Sequence, residues 1–322
     1  MPPSPAFDFD VSVVIVNWNV GEFVRTCLKS VLAESDDLRL QIIVVDNASA
    51  DGSPEIVEDE FPQVELIRNP DNRGFAAGCN QGLAVSKGEF VLMLNPDTEI
   101  LDGALGKSLA LMREHRDWGV LGCQVLKSRG GEIQRTGFSF PGPMNLFLIA
   151  TLLHRVFPRS KFFGRPELSF WDRQSERRVD VVTGMYMFIR REAIDAVGPM
   201  DEAYFVYGEE ADWCYRFGKA GWPCVFSPLV QVVHADGGKQ STSQIPVRMF
   251  VQLQKSLLIF NRKNLGFWAW LAAKMIFVGS MTFRSLGFLA SSLWKGRPAW
   301  LRARCTLAAL RYQLTGWEPA RG

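Results

Sequence analysis

Four short runs rich in β-branched side chains, at 11–16, 42–45, 64–67 and 90–94, alternate with stretches of helical periodicity over the first hundred residues. Parallel strands need a crossover of a dozen or more residues, and a helix fills it, so this alternation predicts βαβ units around a mostly parallel sheet. Between the first two runs Phe23, Cys27 and Val31 recur every fourth residue, as do Val24, Leu28 and Leu32, which gives one helix an apolar stripe. Asp51-Gly52-Ser53-Pro54 reads as a turn opening a second helix, with Ser53 as N-cap and Pro54 at the first position. A third helix is expected from about 77 to 86, closed by Lys87-Gly88, where glycine takes the left-handed conformation past a helix end.

In an open α/β sheet, ligands sit outside the carboxyl ends of the strands. Asn17-Trp18-Asn19, Asp46-Asn47 and Asn95-Pro96-Asp97 all fall there, so three polar clusters are expected on one rim. From about 119 to 234 the pattern is mixed, with strand-like 120–125, 179–182, 185–189 and 224–226 and a helix over 210–219, and it reads as the same domain continued. The stretch 140–164 is apolar with basic flanks and reads as a mobile flap or a membrane contact.

The net charge of +2 hides a division at Gln240: Lys+Arg minus Asp+Glu is 24 − 33 = −9 before it and 12 − 1 = +11 after it. The basic end also holds five of the ten tryptophans, at 268, 270, 294, 300 and 317. Lys274 and Arg284 interrupt its longest apolar runs below the ~18 residues of a spanning helix. Two readings stay open: helices lying in the interface of an anionic membrane, or a helical subdomain packed on the first. The boundaries expected are an extension over 1–10, a catalytic domain over 11–248 and a helical, basic and aromatic region over 249–322. The first ten residues lack Lys, Arg and any apolar run, so no secretory signal is expected there. Six cysteines without a Cys-x-x-Cys pair read as reduced thiols, and no nucleic-acid partner is expected.

The blocks SVVIVNWN (12–19), VVDNASADGS (44–53), NRGFAAGCNQG (72–82), LMLNPDTEI (92–100) and GEEADWCYRF (208–217), in this order, resemble a family-2 glycosyltransferase of the A-type fold. Within that family the chain is most similar to bacterial rhamnosyltransferase-type enzymes that extend cell-envelope polysaccharides on a lipid carrier, over about residues 11–240. The resemblance implies a Rossmann-like, mostly parallel sheet flanked by helices, with a membrane-associated helical tail. It implies that Asn17, Asn19 and Asp46 hydrogen-bond the base or ribose of a nucleotide sugar, although Asp46-Asn47 equally suits the capping of a turn. It implies too that Asn72, Arg73, Gly74, Phe75 and Asn80 line the nucleotide-sugar site, on a glycine-rich approach to a helix that also suits tight packing.

Asn95-Pro96-Asp97 stands where many A-type enzymes have Asp-x-Asp, the carboxylates that hold a divalent cation across the sugar-nucleotide diphosphate. With Asn at the first position one carboxylate remains, so Mg²⁺ or Mn²⁺ is expected to bind Asp97 more weakly. His234 either completes the metal shell, as in related enzymes, or is a core residue on the apolar face of Val230 and Val232, ahead of Asp236-Gly237-Gly238. Glu209-Glu210-x-Asp212 falls where the family supplies its general base. On a helix Glu210 shares a face with Trp213, Cys214 and Phe217, where desolvation would raise its pKa. Glu210 is therefore the expected base, Asp212 its reserve, and Glu209 a partner of the helix dipole. Thr183, Gly184 and Trp213 are expected beside the acceptor sugar.

The function expected is inverting transfer of a hexose, L-rhamnose from a dTDP donor or another dTDP- or UDP-sugar, onto a lipid-linked or polysaccharide acceptor. The protein would sit peripherally on the inner face of the cell membrane, in the cytoplasm. A membrane-docked nucleotide-sugar-binding protein without turnover and a sugar-nucleotide pyrophosphorylase are the alternatives.

Overall fold

The computed structural model describes residues 7–34, 38–234 and 245–319; Asp236-Gly237-Gly238 and residues 1–6 of the expected extension lie outside them. In chain order the elements are β1 (Phe9–Asn17), α1 (Glu22–Leu32), β2 (Leu40–Asp46), α2 (Ser53–Glu60), β3 (Glu65–Arg68), α3 (Phe75–Val85), β4 (Gly88–Leu94), β5 (Thr98–Ile100), α4 (Ala104–Glu114), β6 (Val120–Leu126) and β7 (Ile133–Gln134). They continue with α5 (Pro143–Ala150), α6 (Leu153–Val156), β8 (Arg177–Val179), β9 (Tyr186–Arg190), α7 (Arg191–Val197), α8 (Glu209–Lys219), β10 (Cys224–His234), α9 (Pro246–Phe260), α10 (Phe267–Lys295) and α11 (Arg297–Thr315).

Chain contacts define two compact units. The first, made of 1–138, 172–202 and 210–241, contains a sheet ordered β3-β2-β1-β4-β9-β6-β10-β5, with β7 beside β6 and β8 beside β10. Strands β3, β2, β1 and β4 are parallel neighbours and β6 runs parallel to β10, while β9 joins these two groups antiparallel to both. The chain moves outward from β1 through β2 to β3 and then returns to β4 on the other side of β1. The strand order therefore reverses between β1 and β4, the switch point at whose carboxyl ends open α/β sheets bind ligands.

Apolar, mostly β-branched side chains fill both faces of these strands because helices cover the sheet: Val13, Ile15, Val44 and Leu92 on one face and Val14, Ile43, Val45 and Val91 on the other are buried. Helix α1 buries Val24, Cys27, Leu28 and Val31, the stripe its sequence spacing predicts. Two local expectations are corrected. Gly52, at φ 81°, is the N-cap of α2, and the Ser53 hydroxyl points instead into a polar cluster described below. Gly88 is not a left-handed cap: the chain leaves α3 through an extended Ser86, and Gly88 begins β4. A Cβ there would stand 2.5 Å from the Ser12 nitrogen, so the glycine serves close strand packing.

The second unit comprises 139–171, 203–209 and 242–322. The apolar stretch expected as a flap or membrane contact folds into α5 and α6, and Leu146 of α5 packs with Leu258, Ala273 and Phe277 of α9 and α10. Phe147, Val156 and Phe162 stay exposed. The segment Phe267–Trp294 of α10 is long and apolar enough, by length and composition, to cross a membrane, although Lys274 and Arg284 interrupt it as expected. Along α10 Met275, Phe283, Leu286 and Leu293 form an exposed stripe at helical spacing, and Leu293 is 85% exposed. All six cysteines are free and buried.

Candidate functional site

β1 and β2 end together, with Asn17 directly across from Asp46. The Asn17 amide Nδ2 donates to Asp46 Oδ1 at 2.7 Å, to Ser53 Oγ at 2.7 Å and to Ser49 Oγ at 3.2 Å. Asp46 Oδ2 accepts the Ser49 N–H at 2.9 Å, so Asp46 does cap the turn that follows it. Asn19, at φ 50°, accepts the Ala50 N–H through Oδ1 at 2.8 Å and donates its own N–H to Ser49 Oγ at 3.0 Å. The three predicted residues Asn17, Asn19 and Asp46 are thus brought together as the frame of the loop 47–53. Asn17 Oδ1 is buried and has no hydrogen-bond partner, an acceptor whose desolvation costs about 1–3 kcal/mol until a donor meets it.

The glycine-rich block lies next to this frame. Gly74, at φ 91°, turns the chain into α3; Asn72 Oδ1 accepts its N–H at 3.0 Å and Asn47 Nδ2 donates to its carbonyl at 3.1 Å. Arg73 is exposed beside the first turn of α3, where unpaired backbone N–H groups favour an anion. A Cβ on Gly184 would stand 3.4 Å from the Phe75 ring, so the blocks expected to meet donor and acceptor touch there. Thr183 precedes Gly184, half-buried. Asn80 is elsewhere: it holds the backbone of Met200 through both amide atoms at 2.9 Å and donates to Glu202. Gly78 and Gly82 serve packing, since a Cβ would approach Val16 to 2.8 Å and Val14 to 2.4 Å.

Past β4 the chain turns through Asn95, whose N–H donates to the Met185 carbonyl at 3.2 Å, and re-enters the sheet as β5. β5 pairs with the end of β10 so that Thr98 is opposite His234, and this brings Asp97 to the histidine: Asp97 Oδ2 lies 3.1 Å from His234 Nε2. Both side chains are buried. His234 Nδ1 faces Gln134 Oε1 at 3.2 Å; donation there leaves the lone pair on Nε2, which makes no hydrogen bond. A buried imidazole nitrogen without a hydrogen bond beside a carboxylate oxygen is a donor set that fits a divalent cation. Among the described residues no cluster of three His, Cys, Asp or Glu side chains exists, so Asp97 and His234 are two protein ligands of such a set. Burial, with the Asp97 charge adding to it, pushes the nearby Cys27 thiol up, so Cys27 is no nucleophile.

Helix α8 begins one residue before its expected start, after left-handed Tyr207 and Gly208. Here the expected roles of its acids change. Glu209 precedes Trp213 by four residues and Phe217 by eight, which sets it on the buried stripe, while Glu210 is half-exposed. Desolvation therefore bears on Glu209 rather than Glu210, against the sequence expectation. Asp212 is fully buried and accepts Arg216 Nε at 2.9 Å; that guanidinium is itself anchored to the carbonyls of Val197 and Pro199. Trp213 is fully buried, its indole N–H given to the Gly198 carbonyl at 2.9 Å and its ring against Phe217. Asp212 and Trp213 therefore build this corner of the first unit, and Glu210 is the least buried of the three acids.

Sequence reasoning did not single out Ser49 or Gln134, and it read Ser53 only as a helix N-cap. The serines had a signal, small hydroxyl residues directly after a strand-end Asp-Asn. Gln134 had none, since only the pairing of β7 with β6 carries it to His234.

Residues 12–198 match the family described as Glycosyl transferase family 2. The chain is 28% identical over 301 residues, 88% of its length and 94% of the relative's, to an N-acetylglucosaminyl-diphospho-decaprenol L-rhamnosyltransferase of Mycobacterium tuberculosis. It is 21% identical over 256 residues to a low-salt glycan biosynthesis hexosyltransferase of Haloferax volcanii, covering 78% of this chain and 76% of that one. Among solved structures it is similar to a mannosyltransferase from Pyrobaculum calidifontis in complex with GDP-Man and Mn²⁺, with a TM-score of 0.54, 17% identity and coverage of 98% of this chain and 90% of that one. It is also similar to GalNAc-T7 with UDP, GalNAc and Mn²⁺, with a TM-score of 0.52, 15% identity and coverage of 70% and 43%.

Proposed function

The chain belongs to glycosyl transferase family 2 and has the A-type fold, and from that premise we propose that it transfers L-rhamnose, with inversion, from dTDP-rhamnose to a lipid-linked diphospho-sugar acceptor in cell-envelope synthesis, at the cytoplasmic face of the membrane. Similarity along 94% of a rhamnosyltransferase whose acceptor is named as a diphospho-decaprenol supports the donor sugar and the acceptor class. The long apolar α10 and the charge of +11 beyond Gln240 support a membrane location. The pyrophosphorylase alternative is dropped, since the family and the relatives transfer glycosyl groups, whereas a pyrophosphorylase transfers a nucleotidyl group.

The single observation that carries the reading is the pair Asp97 and His234 at the rim of a family-2 sheet. These two would hold a divalent cation, as the solved neighbours hold Mn²⁺, and such an ion offsets charge on a departing diphosphate. Arg73 and the first turn of α3 add positive potential for the same group. The loop framed by Asn17, Asn19 and Asp46 suits the nucleoside, with Asn17 Oδ1 as an acceptor still to be met. Phe75 and Gly184 suit the contact between donor and acceptor sugars. Glu210 takes the proton of the acceptor hydroxyl as its oxygen attacks the anomeric carbon opposite the leaving nucleotide. Labelled rhamnose transfer from dTDP-rhamnose to a prenyl-diphospho-N-acetylglucosamine, by full-length protein with Mn²⁺, tests this. Transfer from a different nucleotide sugar alone would overturn the donor, and donor binding without transfer to any such lipid would overturn the acceptor.

A further inference from the structure

Within the second unit the segment 139–166 carries four cations, Arg155, Arg159, Lys161 and Arg165, and no acid. All four are exposed, and they pair with no acid among the described residues. Large apolar side chains face outward beside them: Met144 and Phe147, three apart on α5, then Val156, Phe157 and Phe162 in and after α6. Val156 is 63% exposed and Phe162 51%. Single exposed apolar residues are ordinary, but a run of them interleaved with unpaired cations marks a contact surface.

The segment is tied together, so these groups are held outward. Ser169 Oγ donates to the Pro158 carbonyl at 2.7 Å, and the buried His154 faces the Leu148 carbonyl through Nδ1 at 3.0 Å and Glu167 through Nε2 at 3.5 Å. The Phe157 and Phe162 rings lean on Phe163, with centroids 5.1 and 5.2 Å away. Leu146 fixes α5 in the core of this unit, and Leu152, which joins α5 to α6 at φ 60°, is 44% exposed. A second copy of the chain would set the same four cations against these and be repelled. An anionic bilayer offers hydrocarbon to the apolar side chains and phosphates to the cations in one plane. We propose that 144–165 is a platform that docks on an anionic lipid surface, with Phe147, Phe157 and Phe162 at the acyl-chain boundary and Arg155, Arg159 and Lys161 on lipid phosphates; it rests on the reading of the protein as one that works at the membrane face.

The test uses full-length Phe162→Cys carrying a nitrobenzoxadiazole label, which the six native cysteines escape because they are buried. It is mixed with vesicles of phosphatidylcholine alone or of seven parts phosphatidylcholine to three of phosphatidylglycerol, and flotation of the same samples is followed. The emission should shift to the blue and brighten with the anionic vesicles, less so at high salt, while a label at Asp59→Cys on exposed α2 keeps its aqueous emission. Adding Arg155→Gln, Arg159→Gln and Lys161→Gln should weaken the labelled protein's partition by about 100-fold. Arg155→Lys, Arg159→Lys and Lys161→Arg, which keep the charge, should retain it. An unshifted label on protein that floats with anionic vesicles would give the contact to another segment and overturn the platform, leaving the membrane location standing. No flotation with either vesicle would overturn both. An equal response to pure phosphatidylcholine, or one undiminished in the triple Gln variant, would overturn the proposal too. So would a blue shift without vesicles that grows with protein concentration, the mark of a contact between copies of the chain.

Discussion

His234 Nε2 lies 3.1 Å from Asp97 Oδ2, and the other ring nitrogen of the same imidazole faces Gln134 at 3.2 Å. The two residues are 137 positions apart and meet because β5 pairs antiparallel with the last residues of β10. Both His234→Ala and Asp97→Asn should remove the Mn²⁺-dependent part of nucleotide binding and lower transfer by about 100-fold or more, because charge on the leaving group is then met in part only. Titration of Mn²⁺ by calorimetry in the presence of dTDP reads the binding term directly.

Gln134 orients the imidazole without touching a ligand. Gln134→Leu should weaken Mn²⁺ by about 10- to 100-fold while leaving the melting temperature of the metal-free protein nearly unchanged. Gln134→Glu, which keeps an acceptor opposite Nδ1, should restore most of the affinity.

The acids of α8 separate by experiment. Glu210→Gln should abolish transfer with donor affinity retained, the signature of a proton acceptor. Asp212→Asn should act on the fold, since it leaves the Arg216 guanidinium facing a neutral amide, with a stability loss of about 1–3 kcal/mol in urea unfolding.

Gly82 is a packing requirement of α3. A Cβ would approach Val14 Cγ1 to 2.4 Å, so Gly82→Ala should destabilise by about 1–3 kcal/mol. Adding Val14→Ala should recover part of that loss in a double-mutant cycle, because the clash is with that side chain.

Hydrogen bonding from Arg39 holds the Asp10 carboxyl at about 2, below its ordinary 3.8, with Arg113 assisting and burial opposing. A carboxylate with a depressed folded-state pKa adds stability above its unfolded value, and the gain disappears as pH falls through the folded one. The stability difference between wild type and Asp10→Asn should accordingly be constant above about pH 5, shrink below pH 4 and be gone near pH 2, as followed by urea midpoints.

The strand-helix alternation was legible because each parallel strand is buried on both faces and declares itself as a short β-branched run. The rim residues Asn17, Asp46 and Asp97 followed from where those runs break off. Other roles were not legible for geometric reasons. Whether His234 is core or ligand depended on the partner of β10, which no local pattern specifies. The exchange of Glu209 and Glu210 between buried and accessible positions depended on the registration of the first turn of α8, which Tyr207 and Gly208 fix by their left-handed conformations. Asn80 belongs to the donor block in sequence but lies in α3 with its amide turned to Met200, and periodicity alone does not report that direction.

If Asp97 and His234 build the cation end of a nucleotide-sugar site, nucleotide should raise the melting temperature of the full-length protein only with a divalent cation present. That temperature is measured against dTDP, UDP and GDP, each with Mn²⁺ and with chelator, for wild type and His234→Ala. Ligand held only by the folded state must raise it, by an amount set by concentration over Kd. A rise with dTDP that requires Mn²⁺ is expected in wild type and none in His234→Ala. An equal rise in both proteins, or one indifferent to chelator, would contradict it.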